Sequence, residues 1–478
     1  MTAQSTYKLD SSSNNTAQVE HGSFRDREAR VFYLNDIVYR GISEKTLRDF
    51  RKLSSTKFYQ NAINSGSIIA TQEIPAVKIP SGLDSRNWAG ILAHEKISFI
   101  SYPYEWCFGM LKDAALLHLK LLSDALEEDF ILKDSSSFNI QWDGSKPVFI
   151  DIPSFQPLSS GEPWGGYKQF CQMFLFPLLL QAYKGVPFQT LLRGNIDGIE
   201  AKDFYNLMSF RDMFRAGVLK HGYLQTKLQN RYSSTKLDVR SELKDLGFHK
   251  ELIRANLKSI TSLITKLSLP DENTVWADYA DNNSYNEITA KEKQDFVRTA
   301  VFERKRNIVW DLGCNTGTFS KIALENSSYV VAMDFDYGAI ERLYQDLKSS
   351  NNSKILPLVM NLANPSPDHG WRGLERKSIS NRSNPELILA LALIHHAVIS
   401  ANIPLSEFVN WLSSFNADLV IEFVTKDDPM VKTLLANKED NYDDYSLENF
   451  EAQLKLHFTI ATKKHLASGT RYLYYCRK

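Results

Sequence analysis

A chain of 478 residues is too long for one ordinary core, so two or three domains are expected. Its 56 Lys+Arg balance 56 Asp+Glu, which disfavours a bulk nucleic-acid binder because phosphate neutralisation needs a basic surplus. Cys107, Cys171, Cys314 and Cys476 are far apart and form no CxxC, so neither a disulfide framework nor a zinc site is expected, and a reducing, cytoplasmic setting fits.

Residues 1–23 are polar, lack the apolar stretch of a secretory signal, and read as a disordered tail. From Phe24 to about Gly82, short apolar runs broken by polar segments predict a small mixed sheet. "EWCFGMLKDAALLHLKLLSDAL", from Glu105 to Leu126, has apolar residues at three- and four-residue steps and predicts a helix. In "DSSSFNIQWDGSKPVFIDIPSF" a DG pair divides two apolar runs, which predicts a hairpin because glycine tolerates positive φ. Residues 167–267 are mostly helical in pattern. Their most apolar run, Phe170 to Tyr183, is short for a membrane span and contains a proline, so a buried helix is expected and no membrane partner.

Asp134 and Asn139 stand at D-x-x-x-x-N spacing, and Asp151 ends the next apolar run. The order resembles protein kinases and the aminoglycoside and fructosamine phosphotransferases, in which a catalytic Asp, a metal-binding Asn and a metal-binding Asp follow one another. No HRD or HGD precedes the loop, DFG and a glycine-rich loop are absent, and Lys45, Lys52 and Lys57 match the strand lysine poorly. The resemblance therefore implies an α+β kinase-like accessory domain over 24–268 that is degenerate. Turn residues at a plain hairpin are the bland alternative. Trp164, in "GEPWGGYKQF", is read equally as part of a substrate or interdomain loop and as a packing residue.

Residues 269–293 are polar and predict a linker. Beyond it, "NIVWDLG", "YVVAMDFD", "KILPLVMNL", "ELILALALIHH" and "ADLVIEFV" are continuous apolar runs separated by helix-compatible segments. That rhythm predicts a doubly wound, Rossmann-like α/β domain over 294–478, closed by a terminal hairpin around "SG". Ligands bind such sheets at the carboxyl ends of the strands.

"WDLGCNTGTFS" places Asp311 at the end of the first strand, Gly313 and Gly317 in the turn, and Asn315 between them. A dinucleotide fingerprint is G-x-G-x-x-G, and a carboxylate beside that turn would repel a pyrophosphate; it suits an ammonium or sulfonium. A nicotinamide oxidoreductase is disfavoured on both grounds. The pattern resembles motif I of class I S-adenosylmethionine-dependent methyltransferases, [DE]-x-G-x-G-x-G, with Asn315 replacing the middle glycine. A buried strand–turn–helix that merely carries two glycines is the bland alternative, and the matching "AMDFD" weighs against it.

The resemblance implies a seven-stranded methyltransferase domain with S-adenosyl-L-methionine as cofactor. Asp311, Gly313, Asn315 and Gly317 would shape its methionine end, Asp334 (or Asp336) would hold the ribose hydroxyls, and Asn361 would lie near the adenine amine. His395 and His396, expected at the end of the fourth strand, are candidates for a general base or a substrate-orienting group, with a structural strand-end histidine as the even alternative. The absence of N-P-P-[YF] disfavours base-directed DNA methylation, leaving an oxygen or nitrogen of a small molecule or glycan as acceptor. Glu422 is a further crevice candidate, although the adjoining "KDD" reads better as a solvated loop. Trp371, Arg372, Arg376 and Arg382, in a polar insert from Ser366 to Ser383, are read equally as grips on an anionic or sugar substrate and as a solvated loop. The style of "LALALIHHAVI" and "VIEFVTKDDPMV" further resembles a bacterial NoeA-like nodulation group. A phosphotransferase acting through the N-terminal half, or a metabolite-binding scaffold, are the alternative functions.

Overall fold

The computed structural model describes residues 16–159, 161–223, 250–269, 287–436 and 438–478. Its N-terminal part opens with β1 (Gln18–Val19), β2 (Ala29–Leu34), β3 (Ile37–Ile42), β4 (Thr71–Ile74) and β5 (Gly90–His94), an antiparallel sheet in the order β1-β2-β3-β5-β4. β1 pairs with β2 through Gln18↔Tyr33, so Gln18–Val19 belong to the sheet rather than to a tail over 1–23; residues 1–15 lie outside the described part. Strand alternation puts Phe32, Leu34, Tyr39, Ile91 and Ala93 into one small apolar cluster. Between β3 and β4 run two helices, Glu44–Ser54 and Lys57–Asn64, started by Ser43 and Thr56, whose side chains accept the Thr46 and Tyr59 N–H groups.

The predicted helix spans Phe108–Glu127 and is followed by β6 (Phe130–Leu132), the hairpin β7 (Ile140–Asp143) and β8 (Lys146–Phe149), and β9 (Phe155–Pro157), which pairs with β6. Gly144 turns the hairpin at φ +58°. Trp164 is buried, stacked on His118 and tilted against Phe170, and therefore packs the core. The apolar run from Phe170 is buried helix as expected, with a π turn over Cys171–Leu175 just before Pro177, which has no N–H to donate to the helix ladder. No helix among the described residues is long and apolar enough to cross a membrane.

The C-terminal part is a seven-stranded sheet of β10 (Arg306–Leu312), β11 (Ser327–Asp334), β12 (Ile355–Val359), β13 (Leu387–Ala390), β14 (Asp418–Val424), β15 (Thr459–His465) and β16 (Arg471–Arg477). Its order is β12-β11-β10-β13-β14-β16-β15, parallel through β14 and antiparallel at both pairings of β16. β10 to β14 are buried almost end to end, as a sheet covered on both faces must be. The strand order reverses between β10 and β13, which opens a crevice at their carboxyl ends. The expected linker is helical from Glu287: a helix runs Glu287–Phe302 because Thr289, Lys293, Phe296, Val297, Ala300 and Val301 fall on one buried face. Residues 270–286 of that linker lie outside the described part.

The two parts share one continuous apolar core. Glu341 accepts the Gly109 N–H at 2.7 Å, Asp113 accepts the Tyr344 hydroxyl at 2.5 Å, and Trp142 meets Tyr344 edge-on. The hairpin tip is equally tight. Gly144 donates to the Tyr329 hydroxyl, and a Cβ there would come within 2.2 Å of the Ser353 backbone.

Much of the 366–383 insert belongs to this interface rather than to a solvated loop. Arg382 and Glu105, each 1% exposed, form two hydrogen bonds of 2.7 and 2.6 Å, and Arg382 also donates to the Ile100 carbonyl. Arg376 lies 4.0 Å over the Phe138 ring. Their cationic charge is used by the N-terminal half, which corrects their reading as grips on a substrate. Trp371 and Arg372 are exposed.

Candidate active site

The turn after β10 is built by backbone geometry that few side chains tolerate. Gly313 (φ +77°), Asn315 (φ 49°) and Gly317 (φ +82°) are all left-handed, so the position that departs from the three-glycine pattern has the same backbone need. Asparagine meets it with a local bond, its Oδ1 accepting the Thr316 N–H at 2.7 Å. A Cβ on Gly317 would sit 2.5 Å from Leu343 Cδ1, so this glycine answers to helix packing as well as to φ, rather than to clearance for a ligand. The Gly313 and Cys314 N–H groups bond the Met333 carbonyl, tying the turn to the end of β11.

Asp311 and Asp334 converge on that turn from adjacent strands. Asp311 is 1% exposed and accepts the Ser320 hydroxyl at 2.6 Å. Burial pushes its carboxyl up to about 6; the Ser320 bond and the Lys293 ammonium oppose the rise, and the Asp334 charge adds to it. Asp334 is also raised, first by burial, while the backbone N–H groups of Asn315 (2.8 Å) and Asp336 (3.0 Å) hold its two oxygens in place. The Phe335 N–H is a third backbone donor, so of about four acceptor positions on the carboxylate one is left for a further donor such as a hydroxyl. Asp336 instead caps the helix Tyr337–Ser349, accepting the Gly338 and Ala339 N–H groups. The two aspartates between which the sequence could not choose are thereby separated.

Asn361 is exposed past β12, where its side chain accepts the Ala363 N–H and closes a local turn. His395 and His396 lie five and six residues beyond β13, in a helical turn rather than at the strand end itself. His395 is 2% exposed and its Nδ1 has no hydrogen-bond partner. Burial, then the neighbouring charges of His396, Arg471 and Lys293, hold it well below the ordinary histidine value, and burial lowers His396. Both are therefore neutral imidazoles at physiological pH.

Glu422 lies inside β14 and is fully buried. Lys293 Nζ is 2.6 Å from one carboxylate oxygen, and Arg471 is 3.3 Å from the other. Arg471 also binds Asp428 at 2.8 Å, and Asp428 caps the helix Pro429–Leu435, so the "KDD" segment ends in a buried, paired carboxylate rather than a solvated one.

A second cluster lies in the N-terminal part. Asn139 donates to Asp134 at 2.5 Å, and Arg40, from β3, pairs with Asp151. Burial first, then the Asp151 charge, push the Asp134 carboxyl up to about 6. The three residues picked from the sequence do meet, but a guanidinium has joined them. Among the described residues no group of three or more His, Cys, Asp or Glu side chains could hold a metal ion.

No protein-family model matches the sequence. The nodulation protein NoeA of Rhizobium meliloti (strain 1021) is 36% identical over 456 residues, covering 95% of this chain and 94% of its own length. The chain belongs to the NoeA family.

Among solved structures, the N-methyltransferase NodS from Bradyrhizobium japonicum WM9 in complex with S-adenosyl-L-homocysteine is 12% identical, covers 43% of this chain and 99% of NodS, and has a TM-score of 0.29. The bifunctional kinase-methyltransferase WbdD is 15% identical, covers 46% of each chain, and has a TM-score of 0.29. At these TM-scores neither likeness adds to the topology described above.

In this NoeA-family chain the sequence missed Ser320, Lys293, Arg471 and Arg40. Lys293 did leave a signal, because it stands on the apolar face of its own helix with Thr289 and Phe296. Arg40 left none, since its partner is 111 residues away.

Proposed function

We propose that the chain is an S-adenosylmethionine-dependent methyltransferase that acts on an oxygen or nitrogen of a small molecule or glycan. The observation that carries this reading is the pair Asp311 and Asp334 at the adjoining ends of β10 and β11, on either side of a left-handed turn. The doubly wound order of seven strands, with an antiparallel strand inserted next to β14, supports the methyltransferase domain that the motif implies. Bound S-adenosylmethionine supplies an electrophilic methyl group on a positively charged sulfur. The Asp311 carboxylate would match that charge, Asp334 would accept from a ribose hydroxyl, and Asn361, beyond the third strand, would lie near the adenine amine.

Methyl displacement depends mostly on alignment of the acceptor with the methyl carbon. The part of the chain's own residues is to orient and to take up a proton. His395, neutral and with Nδ1 free of a hydrogen bond, is the candidate to receive the acceptor's proton, and His396 to orient the acceptor. The domain division we propose keeps the expected 24–268 and 294–478, widened to take in β1 (Gln18–Val19) at the first domain's start and the helix from Glu287 at the second's, and four free, buried cysteines suit a cytoplasmic setting.

The N-terminal domain is kinase-like and accessory. An antiparallel sheet with helices after its third strand, a long helix, and then a loop, hairpin and aspartate in succession support that reading. Among the alternative readings, convergence of Asp134, Asn139 and Asp151 favours phosphotransfer over a scaffold, while the Arg40–Asp151 pair weighs against either replacing the main one. Calorimetric titration with S-adenosylmethionine tests the main reading. Binding that is lost in Asp311→Ala and Asp334→Ala supports it, and binding that survives both substitutions overturns the site.

A further inference from the structure

The helical region of the N-terminal part carries a face that the fold does not use. Val186, Leu207, Phe210, Phe214 and Leu219 are all exposed there, and the two phenylalanines are each 80% exposed. Their rings meet edge-on, 5.5 Å apart, across the short turn Arg211–Phe214. Loose packing does not explain them, because the turn is pinned from beneath. Asp212, buried, accepts the Ser209 N–H at 2.8 Å, the Ser209 hydroxyl at 2.6 Å and the Lys184 ammonium at 3.0 Å. Arg215 donates to the Tyr183 carbonyl and lies over its ring, and the Tyr183 hydroxyl donates to the Ala216 carbonyl. Met213 packs inward on the core. The two rings are thus held out in water, where an apolar patch usually marks a contact surface.

A pocket of about 510 Å³ lies beside the turn and shares Tyr183, Ala216 and Gly217 with it. Lys220, Lys266, Ser259, Ser262 and Ser268 also line it, and among the described residues no carboxylate does. Lys220 donates to the Ser259 hydroxyl at 3.2 Å. Lys266 ends the helix Lys250–Lys266, but the carbonyls there are already served: Lys112 donates to those of Thr265 and Leu267 at 3.0 and 2.7 Å. His221 adds no charge, because burial pushes its imidazole down to about 4 and its Nδ1 is bonded to the Tyr167 hydroxyl. Arg211, Lys220 and Lys266 form no ion pair among the described residues.

Unanswered cations and hydroxyls beside two protruding aromatic rings match one partner in both respects, a lipid surface with phosphate headgroups. We propose that this face docks the chain on an anionic membrane: Phe210 and Phe214 enter the boundary between headgroups and acyl chains, and Lys220 and Lys266, with the pocket serines, hold a headgroup phosphate. A soluble phosphate would use the pocket and leave the rings in water. The rings project instead of lining a groove, so a deformable lipid layer covers them where a rigid protein would need a matching cleft. The expectation of no membrane partner rested on the lack of a spanning segment, and a peripheral contact needs none. The inference stands apart from the methyltransferase reading.

The full chain is tested by flotation with vesicles of phosphatidylcholine alone and of phosphatidylcholine with phosphatidylglycerol, across a salt series. Wild type is compared with Phe210→Ser/Phe214→Ser and Lys220→Gln/Lys266→Gln. All four side chains are exposed, so thermal unfolding of both variants should match wild type. Expected is wild-type binding to the phosphatidylglycerol vesicles that weakens as salt rises, with a loss of roughly tenfold or more in each variant. Phe210→Trp/Phe214→Trp keeps it. Absence of wild-type binding, or binding that neither variant weakens, overturns the proposal. So does calorimetric binding of inorganic phosphate that the lysine variant loses while vesicles stay unbound, which would assign the pocket to a soluble phosphate. Self-association that the serine variant abolishes, again without vesicle binding, would assign the rings to a second copy of the chain and overturn it too.

Discussion

The molecule carries two carboxylate clusters, and they differ in how their charge is answered. In the N-terminal cluster Asp151 is paired with Arg40 and Asp134 with Asn139, so the protein itself supplies a partner for each carboxylate. In the C-terminal crevice Asp311 accepts from Ser320 and Asp334 from backbone N–H groups, and a left-handed turn lies between them. On the proposed function, the Asp311 and Asp334 carboxylates are the ones left to meet a ligand. Substitutions can break or sharpen that contrast, and the largest expected effect comes from what joins the two halves.

Arg382→Ala strands Glu105 in the shared core and should cost about 3–5 kcal/mol of stability, read by denaturant unfolding, because an uncompensated buried charge is left behind. Next come the clusters themselves. Asp311→Ala should weaken S-adenosylmethionine binding, and Asp334→Ala S-adenosylhomocysteine binding, by about a hundredfold, roughly 2.7 kcal/mol, while Asp134→Ala and Asp151→Ala leave both within about twofold. Gly317→Ala, strained in φ and pressed on Leu343, should lose about tenfold in the S-adenosylhomocysteine titration. A pH series gives a smaller effect. The Asp311 carboxyl, raised to about 6, gains its proton as pH falls through that value, so S-adenosylmethionine affinity should decline between pH 7 and pH 5. Asp311→Asn should remove that dependence.

Legibility in the sequence followed the range of the interactions. The turn from Asp311 to Gly317, the buried strands and the terminal hairpin are local patterns, and they stand where the sequence placed them. Asn315 was legible as a departure, but its reason, a left-handed backbone, needed the coordinates. Residues whose roles depend on distant partners were misread. Arg382 finds Glu105 277 positions away and leaves no periodic trace, whereas Lys293, the partner of Glu422, leaves one only as a member of the buried face of its own helix. Polar composition alone made the Arg382 segment read equally as a substrate grip and a solvated loop, and the Lys293 segment as a linker. Buried ion pairs of this kind look hydrophilic in one dimension and are core in three.

The most direct measurement titrates the full-length wild type with S-adenosylhomocysteine in one calorimeter cell and with magnesium–ATP in a parallel one. Saturable binding of the first and none of the second is the result expected if the open crevice is the working site and the N-terminal cluster is closed by Arg40. Binding of magnesium–ATP alone would contradict the account, because the half with its charges already met would then be the one that works.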